Sequence, residues 1–228
     1  MVVAGDMGTR KARNVLFNRY VNPVMLEFGF LRDRRIYRRF NGLGDCVLVE
    51  FQISQGIGGD AYCFYVVLTV VPRPWMEWYA AQGLPVDFDR PTQAHGMEER
   101  LDVPNPVAST RPDLWVVDTV ESAHIVGVEL AVALRPWLRE LVGILDREVF
   151  VERLRERDDY PFGSRSGRDS VLAMFLSDRG MSDELEAILN KDEEEFRTRA
   201  VATDEEELAT AAGSPFAKWI RERAARAT

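Results

Sequence analysis

The sequence has few of the residues on which many active sites and extracellular folds depend. Its 228 residues include two cysteines, Cys46 and Cys63, and two histidines, His95 and His124. A zinc site needs three or four ligands at suitable spacing, and neither histidine segment supplies them. The longest apolar run, at residues 63–72, is far too short to cross a bilayer. The sequence therefore predicts no catalytic residue, no metal ligand, no cofactor and no membrane span.

The two cysteines are not predicted to form a disulfide. A hairpin turn centred near residues 56–58 would place Cys46 opposite Thr69 and Cys63 opposite Gln52 on neighbouring strands. The two sulfurs would then lie roughly 20 Å apart, whereas a disulfide needs Cα atoms within about 7 Å of each other. Unpaired thiols are typical of a reducing cytoplasm. The first residues also lack the basic and apolar segments of a signal peptide, so we expect a cytoplasmic protein.

Lysine is scarce, and the charge is unevenly distributed. The formal net charge is −8, yet residues 1–40 contain nine basic and three acidic residues, a balance of +6 that leaves −14 for the remainder. Arginine supplies almost all of the positive charge, with Lys11, Lys191 and Lys218 as the exceptions. This bias is typical of a GC-rich bacterial genome. The acidic runs at 192–195 and 204–207 are typical of solvated helix faces.

The chain is predicted to begin with one helix. Apolar residues recur at helical spacing from Thr9, a candidate cap, to Phe28, and Gly29 ends the pattern. The step from Asn22 to Pro23 predicts either a kink or a restart of the helix, with Asn22 as its cap.

Three antiparallel strands are predicted after this helix, at residues 34–40, 46–54 and 61–71. Glycine-rich turns separate them, and such short connections allow only antiparallel neighbours. In the second strand, alternation assigns one set of side chains to the core. This set comprises Val47, Val49, Phe51 and Ile53.

The rest of the chain combines an irregular stretch with helices. A short helix is predicted at 75–81, and the proline-rich residues 82–112 predict a functional loop or a disordered one. Residues 114–118 predict a fourth strand, and 120–142 an amphipathic helix bent at Pro136. The segments that follow are helical, with caps predicted at Asp146, Ser182, Thr203 in a capping box with Glu206, and Ser214.

These elements predict an α+β fold. It comprises an N-terminal helix, an antiparallel meander of three or four strands with helices on one face, and a C-terminal helical section. The predicted domains are residues 1–145, the α+β domain, and residues 146–228, the helical section.

Short motifs in the first part of the chain resemble a bacterial family. Residues 26–30 read Leu-Glu-Phe-Gly-Phe, residues 35–38 Arg-Ile-Tyr-Arg and residues 49–52 Val-Glu-Phe-Gln. Their order resembles the family known as domain of unknown function 4304, over about residues 10–145. Ile36 stands where that family more often has an aromatic residue, and residues 82–112 resemble an insertion. The resemblance implies the fold, and it implies no reaction, cofactor or catalytic residue.

One face of the predicted sheet is polar, and we name it the polar face. It carries Arg34, Arg38, Glu50, Gln52 and Tyr65. One interpretation is a solvated surface with an Arg38–Glu50 pair worth under about 1 kcal/mol. The other is a recognition surface, on which arginine forks and the tyrosine hydroxyl hold a carboxylate or a phosphate.

Three functions are compatible with these features, and we rank them in the order given. The first is a non-enzymatic accessory protein that binds a protein partner through the polar face, the 82–112 loop or the acidic helices. The second is an enzyme or small-ligand binder with a pocket between the sheet and that loop, lined by Arg38, Glu50, Gln52 and Tyr65, which suits a small anion.

The third function is nucleic-acid binding through the five arginines between residues 32 and 39. Strand alternation splits these arginines between two faces and the whole chain is acidic, so nucleic acid ranks last. No pattern in the sequence specifies an oligomeric state.

Overall fold

The computed structural model describes residues 4–54, 61–104, 112–156, 161–162, 165–202 and 213–227. Four predictions fall wholly or partly outside this range. They are the hairpin turn at 56–58, the capping box of Thr203 and Glu206, the acidic run at 204–207, and part of the 82–112 loop. Within the described parts of the chain, none of the helices combines the length and the hydrophobicity needed to span a membrane.

The strands form one antiparallel sheet, which is six-stranded in the described part of the chain. They are β1 (Leu31–Asp33), β2 (Ile36–Phe40), β3 (Cys46–Ile53), β4 (Tyr62–Val71), β5 (Met97–Arg100) and β6 (Trp115–Val117). The order is β1-β2-β3-β4-β5, and β6 pairs with β4 beyond the end of β5.

Helices precede, interrupt and follow the sheet. They are α1 (Ala4–Val15), a π-helical segment (Leu16–Val21), α2 (Asn22–Glu27), α3 (Arg73–Ala81), α4 (Val120–Gly143), α5 (Arg147–Glu156), α6 (Arg165–Ser177), α7 (Asp183–Ala202) and α8 (Pro215–Arg226). The predicted α+β class, N-terminal helix, antiparallel meander and C-terminal helical section are confirmed. The sheet is larger than the three or four strands predicted.

The first helix differs from its predicted course at two points. Helix α1 already begins at Ala4, so Thr9 lies inside it and the predicted cap at Thr9 is wrong. As the restart predicts, a new helix α2 begins at Asn22 with Pro23 in its first turn, but it follows the π-helical segment without a break, and the Asn22 N–H donates to the carbonyl of Phe17. The predicted N-cap at Asn22 is wrong, because Val21 is the N-cap of α2. The Asn22 side chain accepts hydrogen bonds from Tyr37 and Arg32.

The predicted core face of β3 is largely confirmed. Val47, Val49 and Phe51 are fully buried. Phe51 packs edge-on against Phe17 of the π-helical segment, with ring centroids 5.0 Å apart. The helices therefore cover this face of the sheet. Ile53 is the exception, since it is 41% exposed at the end of the strand.

The predicted pairing of β3 with β4 is two residues out of register. Cys46 pairs with Val71 rather than Thr69, and Gln52 pairs with Tyr65 rather than Cys63. Side chains alternate with a period of two, so a shift of two leaves every residue on its predicted face. Both cysteines are free, as expected, and both are buried.

The predicted first strand is divided in two by a tight turn. Residues Arg34 and Arg35 form this turn between β1 and β2, and Arg34 has a φ of +59°. The assignment of Arg34 to a strand, and with it to the polar face, is therefore wrong. A positive φ is uncommon for arginine, so alternation alone could not reveal this turn.

The predicted irregular stretch contains a strand. Residues Met97–Arg100 pair with β4 as β5, after a short 3₁₀ turn at Gln93–His95. Gly96 lies so close to the backbone of Val70 that any Cβ at this position would overlap the Val70 carbonyl. The predicted fourth strand near residue 115 is confirmed as β6.

The chain divides into two compact units. The first comprises Met1–Val71 with Arg90–Val149 and contains the sheet, and the second comprises Pro72–Asp89 with Phe150–Thr228. In the second unit α6, α7 and α8 share a core that includes Met174, Leu189 and Ile220, with Trp78 packed against it. The predicted domain boundary between residues 145 and 146 stays a prediction.

Buried polar groups connect the loop after β2 to the start of α5 within the first unit. Asp45 is buried and accepts two hydrogen bonds from Arg147, at 2.7 and 2.8 Å. Asn41 donates to the same carboxylate and to the carbonyl of Leu145, at 2.8 and 2.7 Å. Breaking such a buried pair leaves an unpaired charge, so these contacts hold the loop firmly.

Candidate functional site

Four of the five predicted site residues share one face of the sheet. Glu50 lies between Ile36 and Val67, and Gln52 pairs directly with Tyr65. Arg38 pairs with Leu48, two residues before Glu50, so it points to the same side. The structure thus brings Arg38, Glu50, Gln52 and Tyr65 onto the polar face and leaves Arg34 outside it.

Two of these four side chains are occupied by contacts within the fold. Arg38 is 7% exposed. Its Nε donates to the carbonyl of Pro91 at 2.8 Å, and its Nη1 lies 3.2 Å from the carboxylate of Asp33. Tyr65 is buried beneath the guanidinium of Arg100, which lies 4.6 Å from the ring centroid. These geometries favour a structural role for Arg38 and Tyr65.

Glu50 and Gln52 are half-buried on the same face. Burial raises the pKa of the Glu50 carboxyl above its usual range. The charges of Arg35 and Arg38 and a hydrogen bond with Gln52 oppose this rise in pKa, and the charge of Glu98 adds to it. The polar face is therefore partly closed and carries one carboxyl that resists ionisation.

A second and more basic site lies at the turn that contains Arg34. It is a pocket of about 330 Å³, which we name the arginine pocket. Its polar lining comes from α1, the π-helical segment, β1 and the β1–β2 turn. The polar side chains are Arg13, Asn14, Asn18, Arg32, Arg34 and Arg35. No carboxylate is among its described lining residues, so the pocket is strongly electropositive.

The folding of the chain around Arg34 explains how these arginines meet. The positive φ of Arg34 reverses the chain, and the Nε of Arg32 donates to the carbonyl of Arg34 at 2.9 Å across the turn. The Nη1 of Arg32 donates to the side chain of Asn22 at 3.2 Å, and the Tyr37 hydroxyl donates to the same oxygen at 2.5 Å. Arg32 is therefore held in place before any ligand arrives.

Aromatic rings form the floor beneath these charges. The guanidinium of Arg32 lies 5.4 Å from the ring centroid of Phe17, and that of Arg13 lies 5.9 Å from the ring centroid of Tyr62. Burial raises the pKa of Tyr62, and the charges of Arg13, Arg35 and Arg32 each lower it. Three guanidinium groups thus lie close enough to one phenol to act on its charge, as their places in the same pocket require.

None of the four pocket arginines forms a salt bridge within the part of the chain that the structure describes. Arginine guanidinium groups match the geometry of phosphate and carboxylate oxygens and can bind them in a bidentate manner. A π-helical segment, which supplies Phe17 and Asn18 to this lining, is also frequent at functional sites. The geometry suits an anion.

A family model described as a domain of unknown function, DUF4304, matches residues 21–139. The chain belongs to the DUF4304 family. A search of curated proteins and a search of solved structures found no match to the chain. The match to the family model confirms the resemblance predicted from the sequence.

The DUF4304 segment includes only part of the arginine pocket. Arg32, Arg34 and Arg35 lie within the matched residues, whereas Arg13 and Asn14 of α1 precede them. Reasoning from the sequence singled out the first three arginines but missed Arg13. A signal was present, because Arg13 lies one helical turn before Phe17 and therefore on the same face of the helix.

The DUF4304 segment also contains the cysteines and histidines of the chain. Burial raises the pKa of the Cys46 thiol to about 12, and it also raises the pKa of the Cys63 thiol. Since a thiolate is the nucleophilic form of cysteine, both side chains behave as apolar core residues. His124 is hydrogen-bonded to the hydroxyl of Tyr20 at 2.8 Å. No cluster of three potential metal ligands occurs among the described residues.

Proposed function

We propose that the protein binds a compact, multiply charged anion, with a phosphate-bearing small molecule as the leading class, in the arginine pocket. One observation carries this proposal. Four guanidinium groups from three parts of the chain line one pocket whose described lining contains no carboxylate.

The energetics of the pocket support this class of ligand. A hydrogen bond between charged groups contributes about 1.5–3 kcal/mol, and several guanidinium groups can act on one phosphate. The hydrogen bonds that hold Arg32 reduce the entropy lost when an anion binds. A volume of about 330 Å³ lies at the lower end of the usual range for small-molecule sites. The pocket therefore suits a small ligand better than a long polymer.

This proposal keeps the second function predicted from the sequence, binding of a small ligand, but places the binding site in the arginine pocket. The pocket predicted between the sheet and the 82–112 loop required accessible Arg38 and Tyr65, but both side chains are buried. Binding of a protein partner stays a prediction, as do a bacterial origin, a cytoplasmic location and the absence of catalysis.

Of the five arginines assigned to nucleic acid, Arg32, Arg34 and Arg35 line the arginine pocket, whereas Arg39 donates to the carbonyl of Phe28.

Isothermal titration calorimetry with inorganic phosphate, pyrophosphate and citrate tests the proposal. We expect pyrophosphate to bind more tightly than citrate, because pyrophosphate carries a similar negative charge in a smaller volume. Arg13→Gln and Arg34→Gly should each weaken binding about tenfold, as expected for one charge-assisted contact. Arg34→Gly is suited to the turn because glycine readily adopts a positive φ.

Arg10→Gln is the matched control, because Arg10 lies exposed on the same helix as Arg13 and outside the pocket lining. This variant loses one positive charge and should bind pyrophosphate as the wild type does. Tighter binding of citrate would move the ligand class to polycarboxylates. Equal weakening in all three variants would indicate a nonspecific charge effect, and no binding of any of the three anions by the wild type would contradict the proposal.

A further inference from the structure

Helix α4 exposes a row of apolar side chains that no described residue covers. Ile125, Val128 and Val132 are 59%, 54% and 66% exposed. Their spacing of three and four residues places them on one face of the helix, and we name them the apolar stripe. The opposite face is buried and includes Leu130 and Leu134. The helix is thus anchored on one side while the apolar stripe faces outward.

The same spacing continues into charged residues at both ends of the apolar stripe. Steps of four and three residues connect Glu121, Ile125, Val128, Val132, Arg135 and Arg139. A repeat of alternating three and four residues is the seam of a coiled coil, in which two helices pack side by side. In the described part of the chain, Glu121 and Arg139 form no salt bridge.

The seam is self-complementary in one orientation. Glu121 lies nine residues before Leu130, and Arg139 lies nine residues after it. Consider two α4 helices packed antiparallel, with the two-fold axis passing at the level of Leu130. Glu121 of one copy then faces Arg139 of the other, and Val128 of one copy faces Val132 of the other. In a parallel pair Glu121 would face Glu121, and Arg139 would face Arg139. Like charges in direct opposition are destabilising, so the charges select the antiparallel arrangement.

We propose that the protein forms a homodimer through antiparallel pairing of its α4 helices along the apolar stripe. Two ion pairs, each between Glu121 of one copy and Arg139 of the other, close the ends of the seam, roughly 27 Å apart along the helix. A symmetric contact of this kind uses the same patch on both copies, as most homodimers do.

Side chains beside the stripe contribute to the same interface. Ile125 faces Arg135 of the second copy, and the aliphatic part of an arginine side chain packs well on apolar surface. The charged end of Arg135 is already neutralised, since it lies 2.5 Å from the carboxylate of Glu27. Leu26, which precedes Glu27 in the chain, is 70% exposed and gives a second copy further apolar surface.

Sedimentation equilibrium of the full chain over a wide concentration range tests the dimer. We expect the apparent mass to rise from 26.0 kDa toward twice that value as the concentration increases. Val128→Glu places charges at the centre of the seam and should abolish the rise. Leu43→Glu is the matched control, because Leu43 is 62% exposed in a loop and should leave dimerisation unchanged.

Charge reversal tests the orientation of the two helices. Glu121→Arg and Arg139→Glu should each weaken dimerisation about tenfold, and the double variant should restore it. Circular dichroism of each variant checks that α4 remains folded.

A wild type that stays at 26.0 kDa at the highest concentration would overturn the proposal, even if another protein covered the stripe. A dimer that survives Val128→Glu, or a double reversal that fails to restore dimerisation, would overturn it equally. Because the pocket arginines are unchanged in every variant, binding of pyrophosphate is an independent measurement.

Discussion

The environment of the Glu50 carboxyl group disfavours its ionised form. It lies half-buried on the polar face, between Ile36 of β2 and Val67 of β4. Burial is the largest cause of its raised pKa, ahead of the opposing charges of Arg35 and Arg38. The folded protein therefore holds the Glu50 proton more tightly than the unfolded chain does, and ionisation of this group lowers the stability of the folded state.

Replacement of Glu50 by glutamine should therefore stabilise the protein at neutral pH. Below the ordinary value of 4.5 the carboxyl is protonated in both states, and the variant and wild type should have similar free energies of unfolding. As the pH rises through the pKa of the folded state, the wild type alone acquires a buried charge and loses stability. Urea unfolding at neutral and at acidic pH measures this difference.

Glu98→Gln is the control for the Glu50 experiment, because Glu98 is exposed and acts on Glu50 only through its charge. We expect a smaller gain in stability from this variant. If Glu50→Gln lowers the free energy of unfolding at neutral pH, the attraction of Arg35 and Arg38 outweighs burial, and the pKa of Glu50 is not raised.

Residue patterns in the sequence predict the facing of side chains better than their burial. Alternation correctly grouped Arg38, Glu50, Gln52 and Tyr65, because the side-chain period of a strand is fixed by its geometry. It could not reveal that Arg38 is buried, since the Pro91 carbonyl that satisfies it lies 53 residues away in sequence. Arg34 was misplaced for a local reason, because a positive φ at arginine leaves no signal in the pattern.

Helix α4 and the π-helical segment pack so closely that one position in α4 strongly favours glycine. A Cβ added at Gly127 would overlap the ring of Tyr20. That ring cannot simply move away, because its hydroxyl is hydrogen-bonded to His124 at 2.8 Å, one turn earlier on α4. Gly127 therefore sets the distance between two elements of the first unit.

Gly127→Ala should lower the free energy of unfolding by about 1–2 kcal/mol. Overpacking of this kind costs about 1–3 kcal/mol, and the better helix propensity of alanine offsets up to about 1 kcal/mol of that cost. Gly143→Ala is the matched control at the end of the same helix, where an added Cβ meets nothing within 4 Å. It should be neutral or slightly stabilising.

The double variant Tyr20→Ala, Gly127→Ala separates steric overlap from a general effect on the helix. If the overlap is the cause, adding Gly127→Ala to Tyr20→Ala should cost little further stability. Urea unfolding of all four proteins gives the coupling free energy. Equal costs of Gly127→Ala in both backgrounds would contradict the contact.

Long or strongly patterned elements could be predicted from the sequence, and short polar ones could not. Strand β3 and helix α4 have clear periods of two and about 3.6 residues over eight or more positions, and β4 is a ten-residue, almost wholly apolar run. Strand β5 is four residues long and reads Met-Glu-Glu-Arg, which has no strand propensity of its own. It forms because β4 offers an unpaired edge, which is information from the tertiary structure. The arginine pocket was hidden for the same reason.

The net charge of the whole molecule is negative, whereas the charge around the arginine pocket is positive. Residues 1–40 carry +6, the remainder carries −14, and the arginine pocket lies mostly in the first part. A small anion in the pocket interacts electrostatically mainly with the guanidinium groups, because charges beyond about 10 Å are largely screened at moderate ionic strength. An extended polyanion would need further basic surface, whereas residues 41–228 carry a net charge of −14.

This difference predicts how binding of nucleic acid should depend on salt. A protein that holds single-stranded nucleic acid along several phosphates loses affinity steeply, with a log–log slope of about −0.7 for each phosphate. Because the arginine pocket can neutralise about one phosphate group, a 5′-phosphorylated oligonucleotide should give a slope near −0.7, and removal of its terminal phosphate should abolish binding. Fluorescence anisotropy at a series of salt concentrations measures this slope. A slope several times steeper, insensitive to Arg13→Gln, would instead indicate an extended nucleic-acid surface elsewhere on the chain.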